Sequence, residues 1–312
     1  MDPIRIAIVG MGKIARDQHV PAIRGNSAFS LAATVSPHDA GLDGVPHLAS
    51  LDALLHDGPA VDAIALCTPP QVRYDLAAQA LGRGIHMFLE KPPGATLAEV
   101  GALQAQADKV GVSLFAAWHS RFAAGVAPAR AWLAERKIQS VSIVWREDVR
   151  VWHPGQDWIW EPGGFGVFDP GINALSIATR ILPRPFFVEK ADLDIPSNRA
   201  APIAARLSFR DSTGLPIEMD LDFRQEGDQS WDIVVTTDAG TLTLAKGGGQ
   251  LSIAGGDAPD DADDLKGEYP GLYRRFAAII RAGVSDVDLA PLRLVADAFL
   301  TGRINQVEPF IE

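Results

Sequence analysis

Two glycines and an alanine follow the first apolar run of the chain at a spacing that can hold phosphate. The run Ile4–Val9 leads directly into a Gly-x-Gly-x-x-Ala motif at residues 10–15. In such a turn the first glycine permits the tight bend, and the second lets the backbone approach a pyrophosphate. The alanine lets the next helix pack closely, with its N-terminal amides toward the anion. The motif predicts these dinucleotide contacts: Gly10, Gly12, Lys13 and Ile14.

Two further segments end predicted strands at the edge where a doubly wound sheet binds its ligands. Glu90-Lys91-Pro92 follows the fourth strand, and Cys67-Thr68-Pro69-Pro70 follows the third. A lysine at this edge can hydrogen-bond a reacting oxygen or move its proton, provided that burial lowers its proton affinity. A solubilising surface lysine and a simple strand terminator are the alternatives. The cofactor contacts predicted here are Cys67, Thr68, Pro69, Pro70, Glu90 and Lys91.

Asp169 and Asn173 lie four residues apart in a predicted helix. Asp169 followed by Pro170 fits an N-cap with proline at the first helical position, so capping alone could explain the carboxylate. The spacing of four also places Asp169 and Asn173 on one helix face, where both can converge on a ligand. A cap does not explain this pairing.

Tryptophans cluster with charged residues in one part of the chain. Six of the seven tryptophans fall between residues 118 and 160, where Trp152-His153 lies close to Glu147. A sugar has apolar C–H faces and hydroxyls that need oriented donors and acceptors, so this mixture favours a sugar site. Core packing is the alternative for each tryptophan.

His119, two residues past the fifth predicted strand, also lies at the edge of the sheet where ligands bind. A structural role is the alternative for His119.

The first 120 residues alternate apolar runs with helical patterns, which predicts a parallel, doubly wound sheet. The predicted strands are Ile4–Val9, Leu31–Val35, Ala63–Cys67, His86–Leu89 and Ser113–Ala117. Helices are predicted over Val72–Leu81 and Leu97–Val110, and Thr96 with Glu99 forms a capping box at the start of the second.

After Trp118, apolar and polar residues alternate, which is typical of an antiparallel sheet with one wet face. The predicted strands are Val141–Val149, Val188–Ile195, Ile203–Phe209, Ile217–Phe223, Ile233–Thr237 and Thr241–Ala245. We expect a helix near Ile172–Ile181, a solvated acidic loop at Gly255–Asp264, and a last helix at Pro291–Arg303 that returns to the first domain. The predicted fold is α/β: a Rossmann domain over residues 1–120, then an α+β domain over 121–312 with a large, mostly antiparallel open sheet.

Composition excludes several classes of partner. The 312 residues carry a net charge of −11, with 39 acidic and 28 basic residues and no basic run, so nucleic acid and anionic membranes are unfavourable partners. Cys67 is the single cysteine, which excludes an intrachain disulfide. The seven histidines lack metal-site spacing, so we expect no metal. No apolar run approaches the ~20 residues of a membrane span, and a cytoplasmic protein is expected.

Five segments together resemble the Gfo/Idh/MocA oxidoreductase family. They are Gly10-x-Gly12-Lys13-Ile14-Ala15, Asp17-x-His19-x-Pro21-Ala22, Thr68-Pro69-Pro70, Glu90-Lys91-Pro92 and Gly163-Gly164-x-Gly-x-x-Asp169-x-Gly171. The likeness covers nearly the whole chain and implies a Rossmann domain followed by a sheet domain. The stretches 118–121, 147–164 and 169–176 are similar to the sugar 1-dehydrogenase branch, whose members oxidise L-arabinose or D-galactose at C1 to the aldonolactone.

The resemblance implies roles for particular residues. The catalytic set is Lys91, Asp169 and Asn173. The substrate-binding set is His119, Glu147, Trp152, His153 and Trp231. The cofactor set adds Ser36, Pro37, His38, Trp118 and His119 to the contacts given above. Two positions depart from the family: Asn173 replaces a histidine commonly assigned as acid or base, and Arg73 replaces a histidine. Asparagine does not titrate, so the proton passes to Lys91 or Asp169, and both remain candidates.

The end of the second strand bears on the choice of dinucleotide. Residues 36–38 are Ser-Pro-His, with no carboxylate to hold a ribose 2′-hydroxyl or repel a 2′-phosphate. This favours NADP, with use of NAD also plausible. An exposed sheet face favours a homodimer or homotetramer. The rival functions are a dehydrogenase of a cyclitol or another sugar's ring hydroxyl, and a non-catalytic dinucleotide-binding regulator; Lys91 and Asp169 argue against the regulator.

Overall fold

A computed structural model of the chain describes residues 2–38, 41–253 and 267–311. The strands, in chain order, are β1 (Ile4–Val9), β2 (Phe29–Val35), β3 (His47–Leu48), β4 (Ala63–Leu66), β5 (His86–Glu90), β6 (Leu114–Ala117), β7 (Ile138–Arg146), β8 (Phe186–Pro196), β9 (Ala204–Asp211), β10 (Pro216–Asp222), β11 (Ser230–Thr237), β12 (Gly240–Ala245), β13 (Gln250–Ile253) and β14 (Arg303–Val307). The predicted loop Gly255–Asp264 lies outside the described residues.

The α-helices are α1 (Val20–Arg24), α2 (Leu51–Asp57), α3 (Pro70–Leu81), α4 (Leu97–Val110), α5 (Val126–Leu133), α6 (Val149–Trp152), α7 (Phe168–Ile181), α8 (Glu268–Ala282) and α9 (Ala290–Thr301). Within the described ranges, no helix is both long enough and apolar enough to cross a bilayer. The chain divides into two compact units. The first contains Met1–His119 and Tyr269–Asp288, and the second contains Ser120–Glu268 and Leu289–Glu312.

The first unit is built on a six-stranded sheet in the order β3-β2-β1-β4-β5-β6, and every neighbouring pair is parallel. This confirms the predicted doubly wound fold. The strand order reverses between β1 and β4, which is the position where open α/β sheets bind ligands at the strands' carboxyl ends. The loops that follow β1, β4 and β5 all begin at this edge.

Local signals set the helix bounds in the first unit. At α4 the Thr96 hydroxyl accepts from the Glu99 N–H at 3.2 Å, and the Glu99 carboxylate accepts from the Thr96 N–H at 3.1 Å. This is the predicted capping box, and α4 spans the predicted residues. The sheet buries apolar side chains on both faces, as the parallel βαβ pattern requires.

Helix α8 completes one face of this first core. Its buried side chains recur at helical spacing and pack with β1, β5 and β6 residues. They are Tyr269, Leu272, Tyr273 and Phe276. We expected a different helix here, the last one, to return to the first unit. In the structure α9 packs against β8 and α7 of the second unit. The aromatic side chains of α8 pack instead against the face of the sheet that carries Phe88 and Phe115, although α8 lies far from these strands in the sequence.

The second unit contains an eight-stranded sheet in the order β13-β12-β11-β7-β10-β9-β8-β14. Strand β10 pairs parallel with β7 and β14 pairs parallel with β8, while the other neighbours are antiparallel. The predicted large, mostly antiparallel sheet is therefore confirmed. Helix α7 lies against this sheet beside α5 and α9, and Gly171 permits the close approach, because a Cβ there would lie 2.7 Å from Leu221 of β10.

Candidate active site

The turn after β1 has the backbone geometry that the glycine motif predicts. Gly10 has φ +93°, and a Cβ there would lie 2.9 Å from the carbonyl carbon of Cys67. Its N–H donates to the Val35 carbonyl at 2.8 Å. Only glycine accepts both the left-handed φ and the close approach. A Cβ on Gly12 would meet nothing within 4 Å, so this turn leaves room for a phosphate. These residues fit a dinucleotide.

The same substitution at the two glycines should have opposite effects. We expect Gly10→Ala to lower the free energy of unfolding by about 1–3 kcal/mol, because alanine is strained at positive φ and would clash with the Cys67 backbone. We expect Gly12→Ala to fold normally but to bind dinucleotide at least about tenfold more weakly, because the added methyl group occupies the space of the pyrophosphate. Thermal denaturation and cofactor titration measure the two effects. Unchanged cofactor affinity in Gly12→Ala would place the pyrophosphate elsewhere.

The other predicted cofactor contacts lie around this turn or at the ends of neighbouring strands. Lys13 is exposed and forms an ion pair with Asp17. Ser36 follows β2 directly and its N–H donates to the Leu48 carbonyl at 3.1 Å, while Pro37 and His38 are exposed. The segment of residues 67–70 joins β4 to α3. It lies at the same sheet edge as the Gly10 turn.

Glu90 is the centre of a buried polar network at the end of β5. Its carboxylate is 4% exposed. Oε1 accepts from His19 Nε2 at 2.9 Å and from the Tyr269 hydroxyl at 2.9 Å, and Oε2 accepts from the Lys91 N–H at 2.9 Å. The Tyr273 hydroxyl lies 2.7 Å from His19 Nδ1. The Glu90 carboxylate therefore supports the Lys91 segment, and the predicted contact of Glu90 to the cofactor remains a proposal.

This network holds opposite charges in the core. Burial disfavours the charged form of Glu90, but the hydrogen bond and charge of His19, with help from His119 and Tyr269, lower the pKa of Glu90 to about 2. Burial likewise opposes charge on His19, yet Cys67 and Glu90 beside the ring raise the pKa of His19 to about 10. Glu90 and His19 thus form a buried ion pair. Removing either partner would leave an uncompensated charge.

His119 and Trp118 both follow β6 and are buried. The His119 ring stacks on Tyr269, with 5.5 Å between ring centroids. The Trp118 indole N–H donates to the Asp288 carbonyl at 2.8 Å. The structure thus gives both side chains packing partners within the first unit. Their predicted contacts to cofactor or sugar remain proposals.

In the second unit, four of the predicted site residues converge. Glu147, 2% exposed, follows β7; its Oε1 accepts from His153 Nε2 at 2.7 Å, and its Oε2 accepts from the Trp231 indole N–H at 2.8 Å. On the other side of the ring, His153 Nδ1 lies 3.7 Å from Asp169 Oδ2. We call Glu147, His153, Asp169 and Trp231 the acid–imidazole cluster. It joins residues that are 84 positions apart in the sequence.

Asp169 is not the N-cap that its sequence suggested. Helix α7 begins at Phe168 with Val167 as N-cap, so Asp169 already lies in the first turn. The helix begins earlier because backbone carbonyls satisfy its first amides: the Val167 N–H donates to Pro202 at 2.7 Å, and the Asp169 N–H donates to Gly166 at 2.8 Å. The Asp169 carboxylate is buried beside His153 instead. Asn173 follows one turn later on the same helix, as predicted.

Trp152 supplies an accessible aromatic surface near the acid–imidazole cluster. It ends helix α6 and is 40% exposed. Its ring packs edge-on against Trp231 at 4.7 Å between centroids, and Trp145 stacks on Trp231 at 6.1 Å. The predicted strand Val141–Val149 is shorter in the structure, because β7 ends at Arg146 and Val149 begins α6. The resulting bend brings Trp152 and His153 back toward Glu147.

Sequence reasoning gave no role to Arg73, Tyr269 or Tyr273. Arg73 is buried in α3 and donates to the carbonyls of Thr68, Glu90 and Pro92. The two tyrosines come from α8, 179 or more residues beyond Glu90, and no local pattern links them to it. The sequence gives one signal for Arg73, which is that an arginine stands where the family has a histidine. Among the residues that the structure describes, no group of three or more histidine, cysteine or carboxylate side chains could hold a metal ion.

Comparisons with known proteins identify the family. The sequence model of the Gfo/Idh/MocA oxidoreductases, with NAD-binding Rossmann fold, matches residues 4–117. The galactose 1-dehydrogenase of Pseudomonas fluorescens is 48% identical over 312 residues, which is 100% of both chains. This chain belongs to that family. The resemblance noted in the sequence is confirmed, and the protein is an oxidoreductase with an NAD-binding Rossmann domain.

Solved structures agree with this assignment. The crystal structure of D-galactose-1-dehydrogenase from Rhizobium etli shares 56% identity, with a TM-score of 0.94 over 100% of this chain and 99% of that one. A 3-ketoreductase from Actinomadura kijaniata, solved with NADP, shares 18% identity with a TM-score of 0.81 over 98% of this chain and 99% of that one. The second likeness shows the fold alone.

Proposed function

We propose that the protein oxidises an aldopyranose of the galactose type at C1 to the aldonolactone, with NADP as hydride acceptor. The observation that carries this proposal is the full-length likeness to two galactose 1-dehydrogenases, at 48% and 56% identity. L-Arabinopyranose and D-galactopyranose share ring stereochemistry and differ in the C5 substituent. We therefore include L-arabinose and D-fucose in the substrate group.

The acid–imidazole cluster and Trp152 suit a sugar-binding role. Both Glu147 oxygens already accept one hydrogen bond each, and a carboxylate has further lone pairs for sugar hydroxyls. The fixed partners hold Glu147 in one orientation, so the hydroxyls meet a preorganised acceptor. The exposed face of Trp152 can cover the apolar C–H face of the ring. His119, assigned to the same substrate set, stays a proposal.

The reaction removes a hydride from C1 and a proton from the anomeric hydroxyl, and a C=O bond forms between C1 and O1. The nicotinamide, when bound, accepts the hydride. We assign the proton to Lys91 or Asp169. A lysine ammonium also stabilises negative charge that develops on O1. Asn173 holds no titratable proton, so its amide positions a hydroxyl while Asp169, one turn earlier on α7, is available for the transfer.

The preference for NADP rests on residues 36–38, which contain no carboxylate. We expect Ser36→Asp to shift the preference toward NAD, because the new carboxylate accepts from a ribose 2′-hydroxyl and repels a 2′-phosphate. The change should raise KM for NADP more than it lowers kcat, because the 2′-phosphate is remote from the reacting carbon. Steady-state kinetics with both dinucleotides measure the NADP:NAD preference. Ser27→Asp, which adds a carboxylate at an exposed serine before β2, is the control for the added charge. A constant NADP:NAD ratio in Ser36→Asp would remove Ser36 from the ribose site.

A substrate panel tests the proposed function against its rivals. The protein is incubated with NADP or NAD and with D-galactose, L-arabinose, D-fucose, D-glucose or an inositol, and the absorbance of reduced cofactor is followed. We expect turnover of the first three sugars. Turnover of the inositol alone would favour a ring-hydroxyl dehydrogenase. Dinucleotide binding without turnover of any of them would favour a regulator.

We also propose that the protein forms a homodimer or homotetramer through the sheet of the second unit. One face of that sheet carries an open depression that both acidic and basic side chains line, among them Lys190, Arg206, Glu218 and Asp220. Acidic and basic side chains on one surface can pair with the opposite charges of a second copy across a two-fold axis. Sedimentation equilibrium of the whole protein tests this, and a monomer at micromolar concentration would contradict it.

A further inference from the structure

We propose that Arg73 and Glu90 form a clamp that fixes the Lys91 main chain, so that both are positioning residues for Lys91. This inference rests on the proposed function, in which Lys91 acts on the anomeric oxygen. We call the pair the Lys91 clamp.

The clamp holds one peptide group at both of its polar ends. The peptide that joins Glu90 to Lys91 presents its N–H to Glu90 Oε2 at 2.9 Å. Its carbonyl accepts from Arg73 Nη1. Arg73 Nη1 also donates to the Pro92 carbonyl, one residue beyond Lys91. The backbone is therefore restrained immediately before and after the Lys91 side chain.

Arg73 also links two loops. Its Nη2 donates to the Thr68 carbonyl, so a single guanidinium bridges the loop after β4 and the loop after β5. The side chain is 2% exposed, and buried carbonyls require donors. A guanidinium offers five N–H donors in a rigid fork, whereas a lysine ammonium is a point donor on a flexible stem. Lysine at this position would keep the charge but lose the bridge.

Two side chains hold the Glu90 carboxylate: His19, which directly precedes α1, and Tyr269 of α8. His19 and Tyr269 donate to Oε1, which leaves Oε2 for the Lys91 N–H. Tyr273 in turn contacts His19. A continuous series of buried contacts therefore runs from α8 to the Lys91 amide. Since a misplacement of about 1 Å can cost about 10²-fold in rate, such support has a direct catalytic consequence.

The test is a double-mutant cycle between Arg73→Lys and Lys91→Ala. We expect Arg73→Lys alone to lower kcat by about 10–100-fold with a small change in cofactor Kd, and to have little further effect on kcat when Lys91 is already alanine. The control is Arg184→Lys, which weakens the contact of a half-exposed arginine to the buried Asp211 in the second unit and should leave kcat within about twofold. If the two single-variant losses in kcat multiply in the double variant, Arg73 and Lys91 act independently and the clamp is overturned.

A second measurement does not depend on turnover. Amide hydrogen exchange should become at least about tenfold faster at Lys91 in Arg73→Lys and in Glu90→Gln, with α4 unchanged as an internal reference. Tyr269→Phe, which removes one donor to Glu90 at almost constant volume, replaces any variant that fails to fold. Unchanged exchange at Lys91 in the folded variants would overturn the clamp. Full turnover in Lys91→Ala would overturn the proposed role of Lys91 and the clamp with it. Losses in kcat that multiply in the double variant would overturn the clamp alone.

Discussion

Lys91→Ala should lose at least about 10³-fold in kcat while its fold and dinucleotide affinity stay close to those of the unaltered protein. The reason is that the lost interaction is strongest with the charge that develops on the anomeric oxygen, so it contributes to the transition state and little to ground-state binding. Stopped-flow or steady-state reduction of NADP measures kcat, and a cofactor titration measures Kd.

Lys109→Ala is the matched control, because Lys109 is an exposed lysine in the last turn of α4. It should change neither kcat nor Kd. Near-normal turnover in Lys91→Ala would remove Lys91 from the chemistry. Loss of dinucleotide affinity equal to the loss of kcat would instead make Lys91 a binding residue.

Asp169→Asn should lower kcat by about 10²-fold or more. The substitution keeps size and shape but removes the charge and the capacity to take a proton. Capping cannot account for a loss, because Val167 is the N-cap of α7 and the first amides of the helix bond to backbone carbonyls. Steady-state kinetics with galactose and NADP measure the effect.

Asp211→Asn provides the comparison for Asp169→Asn. Asp211 is also a buried aspartate of the second unit, and although burial opposes its charge, hydrogen bonds from Thr213, Leu215 and Arg184 hold the pKa of Asp211 well below its usual range. Losing that charge should lower the melting temperature but leave kcat within about twofold. An Asp169→Asn variant that behaves in the same way, less stable but equally fast, would make Asp169 a structural partner of His153.

Short-range patterns predicted five of the six strands of the first sheet, all but β3, and the helix that follows β5. The apolar runs before Gly10 and before Cys67 are buried strands because parallel strands are covered on both faces. The bounds of α4 are readable because a capping box fixes its start and Gly111, in a left-handed conformation, fixes its end. Each of these features depends on neighbours within a few residues.

Contacts over long sequence separations escaped sequence reasoning. Tyr269 donates to Glu90 across 179 positions of the sequence, and no local pattern in either segment predicts this contact. The Asp-Pro pattern at Asp169 is local and fits an N-cap, whereas the Pro202 carbonyl, which accepts from Val167 where α7 begins, is distant in sequence. Arg73 lies within five residues of Thr68, yet its bridge to the Lys91 loop requires the neighbouring strand.

Deuterium at C1 of galactose tests the central claim most directly. The whole protein is incubated with [1-²H]galactose and NADP, and both products are analysed by mass spectrometry and NMR. Oxidation at C1 breaks the C1–²H bond, so the account predicts deuterium in the reduced nicotinamide and a galactonolactone that contains none. Deuterium retained in the sugar product, with unlabelled reduced cofactor, would contradict the account and assign the oxidation to a ring hydroxyl.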